Sequence, residues 1–473
     1  MAGTIPKSLR LDVNNLMADT LGGGYGVDAG AVERWRPRAE AALKAVQSSR
    51  GQGWLGWMDL PAQPESLLDD IEAMAERIRL NYDAFVLLGI GGSALGPICV
   101  NEALRPPRYN ELPKARRGGP RMYFEDNIDP ERMASLRAVV DFRDACFNVI
   151  TKSGGTAETM SQYLYVRDAL RDNPRWRDQV VATTSGVKGL LLDIARLEGL
   201  KTFVIPEGVG GRFSELCPVG LLAAAVGGAD IRALLKGAAD MDARCATPEL
   251  WKNPALLEAA LMAVASVEMG RNIQVMMPYA DSLRMVSNWF VQLWAESLGK
   301  LVNRAGAVVN AGQTPVGALG VTDQHSQLQL YSEGPFDKVI TMMKVETFRE
   351  ETAIPRAPED YPGDIRFLGG LTHSQLIEAE RFGTEYALTR AKRMNQTIIL
   401  PEVSEYTLGQ LLYFFEMVTA YMGELLDVDA FNQPGVEASK IATYAKLGHP
   451  AERYAEARSA LAAAPERDAR YII

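Results

Sequence analysis

Phe85-Val-Leu-Leu-Gly-Ile-Gly-Gly-Ser93-Ala-Leu-Gly96 decides the fold: an apolar run of strand length breaks into a small-residue loop placed to open a helix. A second stretch, Cys146-Phe-Asn-Val-Ile-Thr151-Lys-Ser-Gly-Gly-Thr156-Ala-Glu-Thr159, repeats the arrangement about 60 residues later. Glycines let a ligand approach the backbone and hydroxyls donate hydrogen bonds. A helix N-terminus adds free N–H groups at the positive end of its dipole. The combination suits an anion, most often a phosphate. Two such loops predict a phosphorylated small molecule held between neighbouring strands.

Working outward, short apolar runs alternate with amphipathic stretches from residue 83. The runs are Ala84–Gly89, Arg121–Phe124, Cys146–Ile150, Gln179–Thr183 and Lys201–Ile205. Five short strands with helical patterns between them predict a parallel sheet of βαβ units, closed by a helix over Phe213–Val226. A weaker alternation follows: Asn272–Met277, a long helix around Leu283–Leu301, then Val308–Asn310, Lys338–Val345 and Thr397–Leu400. Residues 1–80 have helical spacing, with Trp54-Leu-Gly-Trp57 as a connecting segment. Thr347–Gly370 reads as an excursion loop, and Ala451–Ala464 as a helix between Pro450 and Pro465. With 473 residues the chain exceeds one ordinary core of ~100–200 residues. The expected division is a helical N-terminal extension (1–80), two α/β domains (81–240 and 241–430), and a loop with a C-terminal helix (431–473).

Composition narrows the function class. A formal charge of −9 argues against broad binding of nucleic acid or an anionic membrane, while leaving room for a local basic pocket. Cys99, Cys146, Cys217 and Cys245 are scattered without Cys-x-x-Cys spacing, so buried free thiols and a reducing compartment are expected. The N-terminus lacks the apolar core of a signal peptide, and no apolar stretch approaches the ~18–20 residues of a membrane span. The longest, Cys217–Ala229, reads as a buried helix. A cytoplasmic protein is expected.

Several further segments carry chemistry. Gly89–Ala94 can be forced into a dinucleotide fingerprint, but the acidic pair Glu125-Asp126 falls over 30 residues beyond the glycines, against the ~20 that a ribose contact needs. Ser93 suits a single phosphate better. Thr151-Lys152-Ser153-Gly154-Gly155-Thr156 is more specific: three hydroxyls, a lysine and two glycines after a strand form a phosphate cradle. In Gly210-Gly211-Arg212-Phe213-Ser214, Ser214 can cap a helix, whereas an arginine at a Gly-Gly bend could stabilise oxyanion charge. Glu296 lies on an apolar helix beside Phe290, Leu293, Trp294 and Leu298. It is either a surface carboxylate or, if buried, a base with a raised pKa. His325, within Asp323-Gln-His-Ser-Gln327, is one of three histidines, and none of the three has metal-ligand companions at suitable spacing. Lys440 stands one turn inside a helix that follows Phe431-Asn-Gln-Pro-Gly435.

Taken in order, the segments from about residue 83 to 440 resemble the glucose-6-phosphate isomerase (phosphoglucose isomerase) family of the sugar-isomerase (SIS) superfamily, in its compact bacterial form. They are Gly-Ile-Gly-Gly-Ser-x-Leu-Gly-Pro, Gly-Gly-Arg-Phe-Ser, Glu-Ser-x-Gly-Lys, Asp-Gln-His-Ser-Gln and Phe-x-Gln-Pro-Gly-Val-Glu-x-x-Lys. The resemblance implies two SIS-type, flavodoxin-like three-layer αβα domains with parallel sheets, and helical N- and C-terminal extensions. It implies Glu296 as the base between C1 and C2, Arg212 as enediolate stabiliser, and His325 and Lys440 in ring opening, the histidine reaching in from a second subunit. Ser93, Thr151, Lys152, Ser153 and Thr156 match phosphate-binding positions. Glu158 matches a carboxylate that supports the histidine, while Gly92, Gly211 and Gln433 match substrate-lining positions. Thr151 stands where serine is usual, Asn432 where aspartate is common and Ser439 where glycine is common, which leaves the functional positions intact.

The activity so implied is reversible aldose–ketose isomerisation of glucose 6-phosphate and fructose 6-phosphate. It proceeds through an enediolate, needs no metal or redox cofactor, and runs in a homodimer that shares its active sites. No nucleic acid or membrane partner is implied. A nicotinamide-dependent dehydrogenase, a non-catalytic SIS sensor and a dual phosphoglucose/phosphomannose isomerase are the competing readings.

Overall fold

The computed structural model describes residues 8–465 and 467–473. The chain enters on a three-residue strand, β1 (Arg10–Asp12), whose partner comes almost 400 residues later. The helices Ala29–Ser48 and Glu65–Asn81 come next, each burying one apolar face. Then come β2 (Ala84–Leu88), β3 (Arg121–Glu125), β4 (Ala145–Ile150), β5 (Val180–Ser185) and β6 (Lys201–Ile205). They form one wholly parallel sheet in the order β3-β2-β4-β5-β6. The central strands β2, β4 and β5 are buried along their whole length, as helix-covered parallel strands should be.

Beyond the sheet, all nine residues of the helix Pro218–Val226 are buried. The second alternation supplies β7 (Ile273–Pro278), an antiparallel ribbon of β8 (Lys300–Val302) and β9 (Val308–Ala311), then β10 (Thr314–Gly317), β11 (Lys338–Thr347) and β12 (Asn395–Glu402). The second sheet has the order β1-β12-β11-β7-β10, parallel except for β1.

Both sheets share one topology. The chain runs from β2 outward to β3, then returns to the other side of β2 to lay down β4, β5 and β6. From β7 it goes outward to β10 and returns for β11 and β12. This is the flavodoxin-like order, and the gap between β2 and β4 is a switch point where ligands bind at the carboxyl ends of strands. The period of two along each strand separates two faces. Phe85, Leu87 and Cys146 of the first sheet and Met276, Val339 and Ile398 of the second enter one common core. Val86, Leu88 and Phe147 face an outer cluster, and Val275, Met277 and Ile340 face another.

The common core is crossed by the 21-residue helix Glu405–Leu425, nearly all of it buried. It packs on Ile231–Cys245 so closely that a Cβ on Gly409 would lie 1.9 Å from the carbonyl oxygen of Leu234, and one on Gly237 equally near that of Tyr406. The helix Ile231–Cys245 runs across the expected division at residue 240.

Differences from the sequence reading have physical causes. The first 80 residues, expected to be helical, also supply β1, which is too short to show a periodicity. Val308–Asn310 is a strand, but it pairs with β8 in the ribbon. The sheet position falls to β10, whose Pro315 and Gly317 hide it, and whose place at the sheet edge tolerates proline. The long helix stops at Leu298, three residues early, where β8 begins. The C-terminal helix covers Ala455–Ala462 after a 3-10 turn. All four cysteines are free and buried. No helix among the described residues is long and apolar enough to cross a membrane.

Glu215 lies wholly inside this core, both carboxyl oxygens without a hydrogen-bond partner among the described residues, and Gly96 and Gly220 leave it room. Burial raises its pKa well above the ordinary 4.5, and also that of buried Glu416, which Glu215 further repels. A carboxyl with a raised folded pKa holds its proton in the native state after the unfolded chain has lost it. Stability therefore falls as pH rises above the unfolded value. Glu215→Gln should raise Tm more at pH 8 than at pH 5 in a thermal melt. An equal effect at both pH values would refute the assignment.

Candidate active site

Three loops emerge at the carboxyl end of the first sheet. After β2 comes the 3-10 turn Gly91–Ser93, leading into the helix Leu95–Leu104. After β4 comes 151–156, leading into Ala157–Ala169. After β6 comes the 3-10 turn Gly211–Phe213. The first two flank the switch point.

The first and third loops touch. A Cβ on Gly92 would lie 2.2 Å from the carbonyl carbon of Gly211 and 2.6 Å from the Arg212 nitrogen, so only glycine permits this approach. Ser214 spans the contact, its hydroxyl donating to the carbonyls of Gly92 (3.3 Å) and Gly211 (2.7 Å).

In the second loop the hydroxyls of Thr151 and Thr156 are 2.9 Å apart, and the Gly154 N–H donates to Thr151 Oγ1. Ser153 is exposed, and Ser93 partly so. Lys152 behaves differently from a free phosphate ligand. Its ammonium donates to the backbone carbonyls of Pro206, Glu207 and Val209, and so ties this loop to the one after β6. Burial lowers its pKa, with Glu207 opposing. Glu158, in the first helical turn, has no side-chain hydrogen bond or ion pair among the described residues.

Arg212 is the centre of the cluster. It is 4% exposed, and every N–H of its guanidinium has a partner. Nε donates to Ser297 Oγ at 2.7 Å. Nη1 donates to Glu296 Oε2 at 3.3 Å and Gln433 Oε1 at 3.0 Å. Nη2 donates to the carbonyls of Ala430 (2.6 Å) and Asn432 (3.2 Å). Burial lowers the Arg212 pKa, while Glu296 and Asp429 push it back up.

Aromatic packing fixes the surroundings. Trp57, fully buried, stacks on Phe213 with centroids 4.9 Å apart, and Phe213 meets Phe431 at 5.5 Å. Such pairs add about 0.5–1.5 kcal/mol each beyond their buried area. The column holds the neighbours of Arg212 and of Gln433 against the N-terminal connecting segment.

Glu296 projects from the helix Arg284–Leu298, which follows β7 and packs on Leu95–Leu104. It therefore brings a residue of the second unit to the loops of the first. Its side chain is 32% exposed, so the burial expected of a base in apolar company is only partial. Gln292, one turn earlier, donates to Glu296 Oε1 at 3.1 Å, and its amide nitrogen is the atom nearest to where a Cβ on Gly91 would stand. Lys300 donates to the carbonyls of Glu296 (2.5 Å) and Asn432 (2.9 Å).

Two candidates stand apart within one chain. His325 is exposed at the end of the 3-10 turn Thr322–His325, and among the described residues it has no hydrogen bond or ion pair with Arg212, Glu296, Gln433 or Lys440. Lys440 is also exposed, on the helix Glu437–Lys446, and among the described residues pairs only with Glu437 of the same helix at 2.8 Å. That helix is moored to the second loop, where Tyr444 donates to the Gly155 carbonyl at 2.5 Å.

Ser297 and Lys300 fall within the Glu-Ser-x-Gly-Lys segment but were given no role, and sequence reasoning singled out neither Gln292 nor Asp429. The i,i+4 spacing from Gln292 to Glu296 was a usable signal, since it puts both on one helix face. Asp429 offered none.

The phosphoglucose isomerase family profile matches residues 79–353. A glucose-6-phosphate isomerase of Carboxydothermus hydrogenoformans is 50% identical over 450 residues, 93% of this chain and 95% of its own. One of Rubrobacter xylanophilus is 44% identical, covering 90% of this chain and 96% of its own. Among solved structures, a hypothetical protein of Thermus thermophilus superposes with a TM-score of 0.82 at 37% identity, over 93% of this chain and 99% of that one.

The Gly92–Gly211 contact yields a direct test. Gly92→Ala forces a methyl against backbone that cannot give way, and overpacking of this kind costs about 1–3 kcal/mol. Its Tm should fall by several degrees. Gly210→Ala, with nothing within 4 Å, should melt with the wild type.

Proposed function

The chain belongs to the phosphoglucose isomerase family, and on that premise we propose that it interconverts glucose 6-phosphate and fructose 6-phosphate, with Glu296 as the base and Arg212 as the fixed positive charge. The observation that carries the reading is the convergence of Arg212 on Glu296 (3.3 Å) and Gln433 (3.0 Å), beside the loops at the switch point. A phosphate anchor, a carboxylate and a buried cation are what proton transfer between C1 and C2 requires.

The phosphate sits on Ser93 and on the hydroxyls and N–H groups of 151–156, with Gly92 and Gly211 lining the approach and the charge of Lys152 close by. Lys440 and His325 assist ring opening, and Glu158 supports the histidine. In the open chain of glucose 6-phosphate, Glu296 takes the proton from C2, and negative charge grows on the C1 and C2 oxygens of the enediolate, where Arg212 meets it. Glu296 then delivers the proton to C1 while the O2 hydroxyl proton passes to O1, which leaves the carbonyl at C2. The guanidinium is held by Ser297 and two backbone carbonyls, so it need not reorganise during the reaction. All its N–H groups are occupied, so a sugar oxygen reaches it by replacing Glu296 or Gln433 at Nη1. The 3.3 Å bond to Glu296 is the weaker of the two, and its replacement frees the carboxylate for the proton.

We further propose a homodimer in which His325 serves the partner subunit's site, a cytoplasmic location, and the division of the chain at residues 80, 240 and 430, with the helix Ile231–Cys245 bridging the second boundary. The isolation of His325 from the Arg212 cluster supports the shared site. Leu301, Val302, Val308 and Val309, exposed on the β8–β9 ribbon, offer an apolar face to a second copy. Buried free thiols fit a reducing compartment.

Two measurements test this. In an assay that converts fructose 6-phosphate to glucose 6-phosphate, Glu296→Gln should lose at least about 10²-fold in kcat, the low end of a general base's contribution, while still binding a phosphorylated sugar. Near-normal turnover removes Glu296 from the role. Mixing inactive His325→Ala with inactive Glu296→Gln should restore part of the activity, because some hybrid sites then hold both native side chains. No recovery after subunit exchange would place His325 in its own chain's site.

A further inference from the structure

The buried lysine between the two halves of the site has no part in the mechanism above. Lys300 opens β8 and is 8% exposed. Burying an ammonium is costly unless it is hydrogen-bonded, and the two oxygens that receive it are specific ones. The carbonyl of Glu296 lies in the last turn of its helix, where backbone oxygens lack helical partners. The Lys300 ammonium donates to it at 2.5 Å. It also donates at 2.9 Å to the carbonyl of Asn432, which shares its other lone pair with Arg212 Nη2.

We propose that Lys300 is a positioning residue for the isomerisation: it pins the backbone of the base-bearing residue to the backbone that precedes Gln433, and thereby fixes both side chains on one guanidinium. The proposal rests on the reading of Glu296 as the base. Gln433 has no other side-chain hydrogen bond among the described residues, and its backbone lies far from helical values, with φ −153° and ψ 59°. Its place on Arg212 therefore depends on the backbone at 430–432, whose carbonyls Arg212 holds from the turn after β6 and Lys300 holds at Asn432 from the end of the second unit's helix.

The groups facing the ammonium are Arg212 from the turn after β6, Glu296 from the helix, and Asp429 from the loop before Phe431. Burial comes first and Arg212 second in lowering the lysine, and the two carboxylates oppose them. The net effect brings Lys300 down to about 8. The charged form makes the stronger hydrogen bonds, so the clamp loosens as pH rises through this value.

The test uses the full-length wild type, Lys300→Met, Lys300→Arg and Glu296→Gln, with kcat and KM for fructose 6-phosphate measured across neutral and alkaline pH. Wild-type kcat should decline on an alkaline limb near pH 8. Lys300→Met should lose about 10²-fold in kcat, the scale of a 1 Å misplacement, with KM little changed because the phosphate anchor is elsewhere. Lys300→Arg should recover part of the loss and move the limb to higher pH, since arginine stays charged. A folded Lys300→Met with near wild-type kcat overturns the proposal, and so does one that loses KM and kcat/KM alone. If Lys300→Met does not fold, a limb that stays in place in Lys300→Arg overturns it. Retained turnover in Glu296→Gln instead refutes the underlying reading of the base. An inactive Glu296→Gln beside a fully active Lys300→Met refutes the Lys300 proposal only.

Discussion

A guanidinium buried to 4% exposure must be fully hydrogen-bonded or it destabilises the fold by several kcal/mol, and the elements around Arg212 converge to meet that demand. Its partners come from two distant parts of the chain: Glu296 and Ser297 on one helix, and Ala430, Asn432 and Gln433 on one loop. Neither could supply the full set alone. The turn that carries Arg212 must close against Gly92, the helix of Glu296 must pack on Leu95–Leu104, and the 430–433 loop must be held by Phe431 on Phe213. Helix packing and the 430–433 loop tie the first α/β unit to the later parts of the chain, and the Gly92 contact braces the turn between them.

The doubled topology explains why the two units meet there. In each unit the first strand of the sheet leads into a helix that faces the common core, Leu95–Leu104 after β2 and Arg284–Leu298 after β7. Packing these two helices together brings the loops at the first switch point beside the second unit's helix. The first unit then contributes the cation and the loops proposed to bind the phosphate, and the second contributes the carboxylate. The sheets stay rigid because their inner faces share one core. The groups whose spacing matters to proton transfer are thus set by helix packing, which has few alternatives once side chains interdigitate.

Much of this was legible in the residues. The five strands of the first sheet follow from continuous apolar runs, and the three loops from their glycines and hydroxyls. β10 was hidden because Pro315 and Gly317 break its pattern, and β1 because three residues carry no period. The Lys152 side chain shows the limit more sharply. Its position in a Ser/Thr/Gly loop suggests phosphate, yet the folded chain brings three carbonyls from 206–209 to its ammonium, a long-range fact that local spacing cannot encode. Gln292 could have been found from its i,i+4 relation to Glu296. Trp57 could not, since its partners Phe213 and Tyr413 lie more than 150 residues away.

The candidate residues divide into a fixed set and a loosely held set. Arg212 is fixed by five hydrogen bonds, and Glu296 and Gln433, both open to solvent in part, are fixed by bonding to it. On the roles proposed above, that limits reorganisation while charge is passing, which would cost rate. Among the described residues Lys440 pairs only with an exposed glutamate on its own helix, an interaction worth about 0.5 kcal/mol or less. His325 is equally uncommitted within the chain. Both are assigned to ring opening, which must admit a closed sugar and hand over an open one. A weakly held acid can follow that change of shape, whereas one locked by buried hydrogen bonds would have to break them to do so. On the roles proposed above, the division between rigid and loose groups parallels the two stages of the reaction: the loosely held groups would handle the substrate's shape, and the tightly held groups its charge.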